Sequence, residues 1–372
     1  MSAPRVLLVS HTYAAPVNRA KLDALAQRLT LTAVIPSRWR DALFDLPSDT
    51  SESSTYPLHR LPIRFDGHIL RYFFPLRQLR RIIQHTQPDL VCVEEEPSSA
   101  VLAQLAFLKR RFRYKLVVFT WENIVRRTGL PLLERYNLAR CNGAIAGNSE
   151  AATVLHHKGF HGPIRVIPQL GLDPLLFQPQ PTPELRRSLG LYQFVLGFMG
   201  RLAEEKGLST LIEAVRELPG VQLLLIGGGP LRDEIATVAH SSSIADRIRL
   251  LDAVPHEQVA HYLNGLDVLA LPSRTTQTWK EQFGHVLIEA MACAVPVIGS
   301  SSGAIPEVVG EAGLIFPEGD ALTLRAAIAR LQADPVLRSE LGQAGRARVL
   351  AHFTHERIAA ANVEFFGQVL GR

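Results

Sequence analysis

The feature that most constrains this chain is an alternation that runs through it twice. Short apolar runs take turns with longer segments whose apolar residues recur at helical spacing. Such a chain buries both faces of a sheet by running the strands parallel and laying helices on either side, which is the α/β class. In the first half the strand candidates are Val6–Val9, Leu31–Ile35, Leu90–Val93, Leu116–Phe119, Gly143–Ala146 and Ile164–Ile167. Then comes Phe177-Gln-Pro-Gln-Pro-Thr-Pro-Glu184, too rich in proline for regular structure and read as a linker. The pattern restarts with Phe194–Met199, Val221–Ile226, Ile248–Leu251, Val268–Leu271, Val295–Ile298 and Gly313–Phe316. It predicts two Rossmann-like, doubly wound parallel-sheet domains, residues 1–180 and 181–354, facing across a cleft. Ligands bind outside the carboxyl ends of the strands in such sheets. A last helical pattern, about 355–372, carries Ile358, Ala361, Phe365, Phe366 and Val369 and is expected to pack back on the first domain.

A content of 47% hydrophobic and 20% charged residues excludes a disordered chain and a coiled coil. Apolar stretches fall short of the roughly 18 residues of a membrane span. Met1-Ser2-Ala3-Pro4-Arg5 runs straight into a strand, without the layout of a signal peptide. Three scattered cysteines suit a reducing interior, so the expected location is the cytoplasm. Charge is divided unevenly. Through Gln180 there are 23 Lys and Arg against 14 Asp and Glu; beyond it there are 17 against 21. The basic half carries Arg71-Tyr-Phe-Phe-Pro-Leu-Arg77-Gln-Leu-Arg80-Arg81 and Lys109-Arg-Arg-Phe-Arg-Tyr-Lys115. Basic and aromatic residues interleaved in this way suit a solvated face, or peripheral contact with the anionic inner face of a membrane. No nucleic-acid-binding signature accompanies them, so nucleic acid is not an expected partner. His156-His157 has no carboxylate or cysteine at ligand spacing, and no metal site is expected. Cys293 has no local His or Asp to activate it as a nucleophile.

Three turns in the second half carry the chemistry. Gly200-Arg201-Leu-Ala-Glu-Glu205-Lys206-Gly207 leads from a strand into a helix, whose free N–H groups and positive potential attract phosphate. Arg201 adds a planar, bidentate cation and Lys206 a mobile point charge. One strand later, Gly227-Gly228-Gly229-Pro230 lets a ligand come close to the backbone. It is not the G-x-G-x-x-G dinucleotide fingerprint, which excludes a nicotinamide dehydrogenase. The third segment is Trp279-Lys-Glu281-Gln-Phe283-Gly284-His285-Val286 and on to Glu289. Gly284 is read as a helix mouth, Glu281 as a carboxylate ahead of it for sugar hydroxyls, and Glu289 as a carboxylate that can bridge a diol such as ribose.

The order Gly200-Arg201…Glu205-Lys206-Gly207, Gly227–Pro230, Pro272-Ser273, Glu281-x7-Glu289-Ala-Met-Ala292, Val295–Ile298, Ser302-Gly303 and Pro306-Glu307 resembles glycosyltransferase family 4. The resemblance is specific from Gly200 to Glu307 and looser in the first half, where Asn148–Glu150 and Pro168–Asp173 carry it. It implies a GT-B fold and a retaining, metal-independent enzyme that takes a hexose from a nucleotide diphosphate sugar, a UDP-sugar or a GDP-sugar. The implied acceptor is a glycan, a lipid-linked sugar or a small-molecule hydroxyl, as in polysaccharide biosynthesis, and no cofactor is implied. Arg201 and Lys206 would hold the diphosphate, and Glu281 the sugar's 3- and 4-hydroxyls. Backbone N–H groups of Phe283, Gly284, His285 and Val286 would meet sugar and phosphate. Glu289 would take the ribose, and backbone near Val254 would border the base.

Two departures stand out. Relatives usually carry a glycine pair after the first strand, where this chain has His11-Thr-Tyr-Ala-Ala-Pro-Val-Asn18-Arg19-Ala-Lys21. Many carry a histidine after the strand matching Leu116–Phe119, where this chain has Thr120-Trp121-Glu122-Asn123. Glu122 or Asn123 would then accept the bond from the donor sugar's 6-hydroxyl, which makes Glu122 a catalytic candidate. His11, Asn18, Glu95, Trp121 and Asn123 are candidates for the acceptor side. Glu94-Glu95-Glu96 suits either acceptor hydroxyls or, more commonly, a solvated strand end. Two rival readings stay open: a GT-B epimerase that needs no acceptor, and a silent nucleotide-sugar-binding protein.

Overall fold

The computed structural model describes residues 3–40, 45–46, 55–125, 130–241 and 244–372, so Met1-Ser2 of the N-terminal reading lie outside it. The chain divides into two compact units. One runs to Gly171 and takes in His355–Arg372; the other is Leu172–Thr354. Among the described residues, the first unit holds β1 (Arg5–Val9), β2 (Thr30–Pro36), β3 (Trp39–Arg40), β4 (Asp45–Leu46), β5 (Leu58–Leu61), β6 (Leu90–Val93), β7 (Lys115–Thr120), β8 (Gly143–Ala146) and β9 (Ile164–Val166). β3 and β4 form a small antiparallel pair. The other seven make one parallel sheet in the order β5-β2-β1-β6-β7-β8-β9.

That order explains the unbroken apolar strands, because a parallel sheet is covered on both faces. Leu7, Val9, Val91 and Val93 face one core with Leu79, Ile83 and Leu105 of the helices Leu76–Thr86 and Ala100–Leu108. Val6, Leu8, Cys92 and Val117 face the other core with Leu22 and Leu25 of the helix Ala20–Ala26. The last helix, His355–Leu370, adds Ile358, Ala359, Phe365, Phe366 and Val369 to that second core, beside the helix Ala20–Ala26.

The second unit repeats the scheme with β10 (Phe194–Met199), β11 (Val221–Ile226), β12 (Ile248–Leu251), β13 (Val268–Leu271), β14 (Val297–Ser300) and β15 (Leu314–Phe316). Its sheet is parallel throughout, in the order β12-β11-β10-β13-β14-β15. In each sheet the chain works outward one way and then returns to the middle to work outward the other way. The reversal falls between β1 and β6 in the first unit and between β10 and β13 in the second. Loops leaving those adjacent strands diverge and open the crevice in which α/β sheets hold ligands.

Two expectations need correcting. β5 was not expected: Leu58-His-Arg-Leu61 is half polar, lies between two prolines and pairs only with β2 at the sheet edge, so its apolar signal is weak. The proline-rich stretch is not without regular structure, because Pro183 opens a short helix, Pro183–Ser188. Proline fits that position, where its missing N–H has no intrahelical acceptor. Ahead of it, Leu172 N donates to Phe353 O at 3.0 Å and Gln180 N to Asn264 Oδ1 at 2.8 Å, fastening the stretch into the second unit. Within the basic clusters Tyr72, Phe74 and Tyr114 are buried in the core, while Phe73 and Phe112 are half-buried.

Candidate functional site

The reversal point of the second sheet gathers the predicted donor residues. β10 leads into Gly200–Gly207 and β13 into Pro272–Gly284, so the two loops begin side by side. Arg274 N donates to Glu205 O at 2.8 Å across them. Gly207 allows this approach: its φ is +67°, and a Cβ there would stand 1.9 Å from Pro272 O. The loops bring Lys206 onto Glu281. Lys206 Nζ donates to Glu281 Oε2 at 2.6 Å and lies 4.6 Å from the centre of the Trp279 ring. Ser273 Oγ donates to the same carboxylate oxygen at 2.8 Å. Glu281 is buried, and its backbone carbonyl receives Ala304 N at 3.0 Å. Gly303 makes room there, since a Cβ would come within 2.1 Å of that carbonyl. Residues predicted separately as a phosphate cation and a sugar-binding carboxylate are therefore one charged pair.

Around it, Arg201 is half exposed and reaches Glu205 at 3.7 Å. Gly227 follows β11 and Val254 lies just beyond β12, so both stand along the same strand-end edge. Gly284 caps the helix His285–Ala292 with φ +80°. The N–H groups of such a first turn have no intrahelical acceptor. Phe283 packs its ring on Phe353 at 5.6 Å and on His285 at 4.9 Å, which fixes the mouth of the helix. Glu289 sits in the second turn, half-buried, with no side-chain hydrogen bond or ion pair among the described residues. Loss of hydration pushes its carboxyl up to about 7.

The reversal point of the first sheet holds a second cluster, and it corrects the view of Glu94–Glu96 as a solvated strand end. Glu94 and Glu95 are buried and fully engaged. Lys21 Nζ, Tyr13 Oη and Gln169 Nε2 donate to the Glu94 carboxylate at 2.6, 2.7 and 3.2 Å. Glu95 Oε1 accepts from His11 N at 2.8 Å and from Tyr72 Oη at 2.5 Å. His11 Nδ1 lies 2.8 and 2.9 Å from the two Glu95 oxygens. A carboxylate only accepts, so this geometry puts the imidazole proton on Nδ1. Trp39 stacks on the His11 ring at 4.4 Å. Burial, followed by the Glu95 charge, holds the Tyr72 phenol well above its ordinary value and keeps it a donor. Glu96 receives Thr120 Oγ1 and Trp121 N, yet loss of hydration still lifts its carboxyl to about 7.

The remaining candidates are spoken for locally. Asn18 Nδ2 donates to Thr12 O at 2.9 Å, Trp121 Nε1 to Gln169 Oε1 at 3.0 Å and Asn123 Nδ2 to Glu150 Oε2 at 3.2 Å. Glu122 is ion-paired with Lys158, which also holds Glu134. In this structure Glu122 is a partner of that lysine, because the helix Ser149–His157 ends beside it. Sequence reasoning gave Lys21, Tyr13, Tyr72 and Trp39 no role of their own. The single signal for Lys21 was a lysine among the apolar positions of Ala-Lys-Leu-Asp-Ala-Leu-Ala.

The sequence matches the model "Glycosyltransferase Family 4" over residues 23–170 and "Glycosyl transferases group 1" over residues 182–348. It is 32% identical over 211 residues, 53% of this chain and 54% of the relative, to a GDP-mannose-dependent monoacylated α-(1-6)-phosphatidylinositol monomannoside mannosyltransferase of Corynebacterium glutamicum. The chain spans about half the length of the mannosyltransferases it matches. To a 2-deoxystreptamine glucosyltransferase of Streptomyces kanamyceticus it is 25% identical over 99% of this chain and 92% of that protein. The fold is shared with Anabaena Alr3699/HepE, solved in complex with UDP: the TM-score is 0.77 at 19% identity, over 98% of this chain and all of that one.

Proposed function

Because this chain belongs to the group 1 and family 4 glycosyltransferases and has their GT-B fold, we propose that it moves a hexose from a nucleoside diphosphate sugar to an acceptor hydroxyl. The observation that carries this reading is the Lys206–Glu281 pair with Ser273 at the strand reversal of the second unit. In the proposed complex Arg201 and Lys206 hold the diphosphate and neutralise the charge that grows on it as the sugar leaves. Glu281 takes sugar hydroxyls, Glu289 the ribose diol, and the N–H groups from Phe283 to Val286 the sugar and phosphate. Gly227 and the backbone near Val254 border the nucleotide.

On this reading the departing diphosphate deprotonates the acceptor on the same face, so configuration is retained. Two protein cations supply the charge that a divalent metal would otherwise bring, and no metal or cofactor is required. The first unit offers His11, Asn18, Glu95, Trp121 and Asn123 to the acceptor, a glycan or lipid-linked hydroxyl. Its basic surface favours work in the cytoplasm, peripheral to the inner face of a membrane. The relative's name gives GDP-mannose and the structural neighbour holds UDP, so both nucleotides belong in the test.

That test is a panel of UDP- and GDP-sugars, scored by thermal shift and by slow donor hydrolysis. One donor is expected to raise the melting temperature and to be hydrolysed slowly. Binding without any turnover in the presence of lipid and glycan acceptors would leave a sensor, and release of an epimerised donor would leave an epimerase. A chain stabilised by no member of the panel would overturn the proposal.

A further inference from the structure

Between β5 and β6 the chain passes through a loop, residues 62–75, and the helix Leu76–Thr86. The loop is firmly held from beneath. Tyr72 and Phe74 are wholly buried, and Tyr72 Oη reaches Glu95. Gln104 clamps Phe74 from both sides, accepting from its N at 3.0 Å and donating to its O at 2.7 Å. Ala100 N donates to Leu70 O at 2.9 Å, and Arg64 pairs with Phe73 as an antiparallel bridge. Yet this ordered loop and the first residue of the helix turn apolar side chains outward. Phe65 is 57% exposed, Ile69 42%, Leu70 41% and Leu76 41%. Phe65 does so from φ +60°, a left-handed conformation that bulky residues rarely adopt.

Charge surrounds these tips. Arg64, Arg71, Arg77, Arg80 and Arg81 are exposed, and their guanidinium groups make no hydrogen bond or ion pair among the described residues. The one acid in the segment, Asp66, is occupied by Arg40 N at 2.9 Å. Behind them Leu79, Ile82 and Ile83 anchor the helix to the core. An apolar tip ringed by unpaired arginines matches a boundary that is anionic at its surface and hydrocarbon just below. A polyanion in water would use the arginines and leave Ile69 and Leu70 wet.

We propose that residues 62–81 dock on an anionic lipid bilayer, with Phe65, Ile69, Leu70 and Leu76 entering the headgroup layer and the arginines pairing with lipid phosphates. The loop includes Tyr72, bonded to Glu95 and near His11, so a lipid carrying the acceptor would bring its headgroup to that cluster. This last step rests on the transfer reading above; the docking does not.

The test is co-sedimentation of the full chain with vesicles of phosphatidylcholine alone and of phosphatidylcholine mixed equally with phosphatidylglycerol. One variant carries Phe65→Ser, Ile69→Ser and Leu70→Ser; the other carries Arg71→Gln, Arg77→Gln, Arg80→Gln and Arg81→Gln. Each arginine near an anionic surface is worth about fivefold in binding, so the second variant should lose at least about a hundredfold. The first keeps its charge and should lose at least about tenfold, with its residual binding more salt-sensitive. Equal recovery of wild type on both vesicle types, wild-type binding by the first variant, or equal affinity for a single-stranded oligonucleotide would each overturn the proposal. Should the first variant misfold, the second replaces only solvated groups and carries the decision alone. Thermal shift by the nucleoside diphosphate is unchanged in both variants if only docking has failed, and is absent in wild type if the transfer reading has failed.

Discussion

Lys206 and Glu281 present each other with a ready partner, and a donor would have to enter that pair. If Arg201 and Lys206 hold the diphosphate as proposed, removing either one takes away a charge-assisted hydrogen bond of about 1.5–3 kcal/mol. Arg201→Ala and Lys206→Ala should therefore each lower kcat/KM by about tenfold to a hundredfold; unchanged values in both would end the diphosphate assignment. Glu281→Gln has a different signature. It loosens Lys206 and weakens the sugar's hold, so turnover should fall while the bare nucleoside diphosphate binds as well as before or more tightly. Glu289→Gln should weaken both, which calorimetry on the product nucleotide separates. Glu289 also sets a pH dependence. Its folded carboxyl titrates near 7, above the ordinary value of 4.5, so the folded chain keeps a proton that the unfolded chain has released. Stability contributed by that proton is present below about 4.5 and is lost as pH rises through about 7. Glu289→Gln should thus be more stable relative to wild type at pH 8 than at pH 5 in urea titrations. A constant difference would mean that the carboxyl is ionised throughout.

Strand ends decide the chemistry of each element here. The adjacent carboxylates Glu94 and Glu95 leave β6 and turn to different partners: Glu94 to Lys21 on the helix Ala20–Ala26, Glu95 to His11 beyond β1. Lys21 and Glu94 are both buried, their side chains 1% and 0% exposed, so their charges are tolerated only as a pair within a hydrogen-bonded network. Lys21→Met leaves Glu94 alone in the interior and should cost about 3–5 kcal/mol in denaturant unfolding. Adding Glu94→Gln should recover a large part of that loss. If the double variant is no better than the single one, the lysine acts by packing and not by charge. Three acidic residues in a row read as solvated because acids usually are; the lysine that reverses the reading is 73 positions away and meets Glu94 through the parallel pairing of β1 with β6.

At the scale of the molecule, each unit has its own sheet and core, and the first is completed by the far end of the chain. Phe365 and Phe366 are 2% and 0% exposed beside Val6, Leu8 and Leu22. Phe366→Ala should destabilise the first unit by about 3–5 kcal/mol. Amide exchange should then quicken in β1 and β6, while β10 and β13 keep their protection. Equal acceleration in both sets of strands would show that the units unfold as one.

The alternation of short apolar runs with helical segments was enough to read two parallel α/β sheets, because covered strands must be apolar on both faces and helices on one. The glycines and charged residues from Gly200 to Glu289 could be read as a phosphate and sugar site, because their spacing at strand ends is local. Edge strand β5 escaped, being half polar and flanked by prolines. What only tertiary structure decided was pairing. Lys206 belongs to Glu281, Lys21 to Glu94, His11 to Glu95 and Glu122 to Lys158. None of these pairs lies within one element, and strand order, set by how whole sheets bury their faces, determines which loop ends meet.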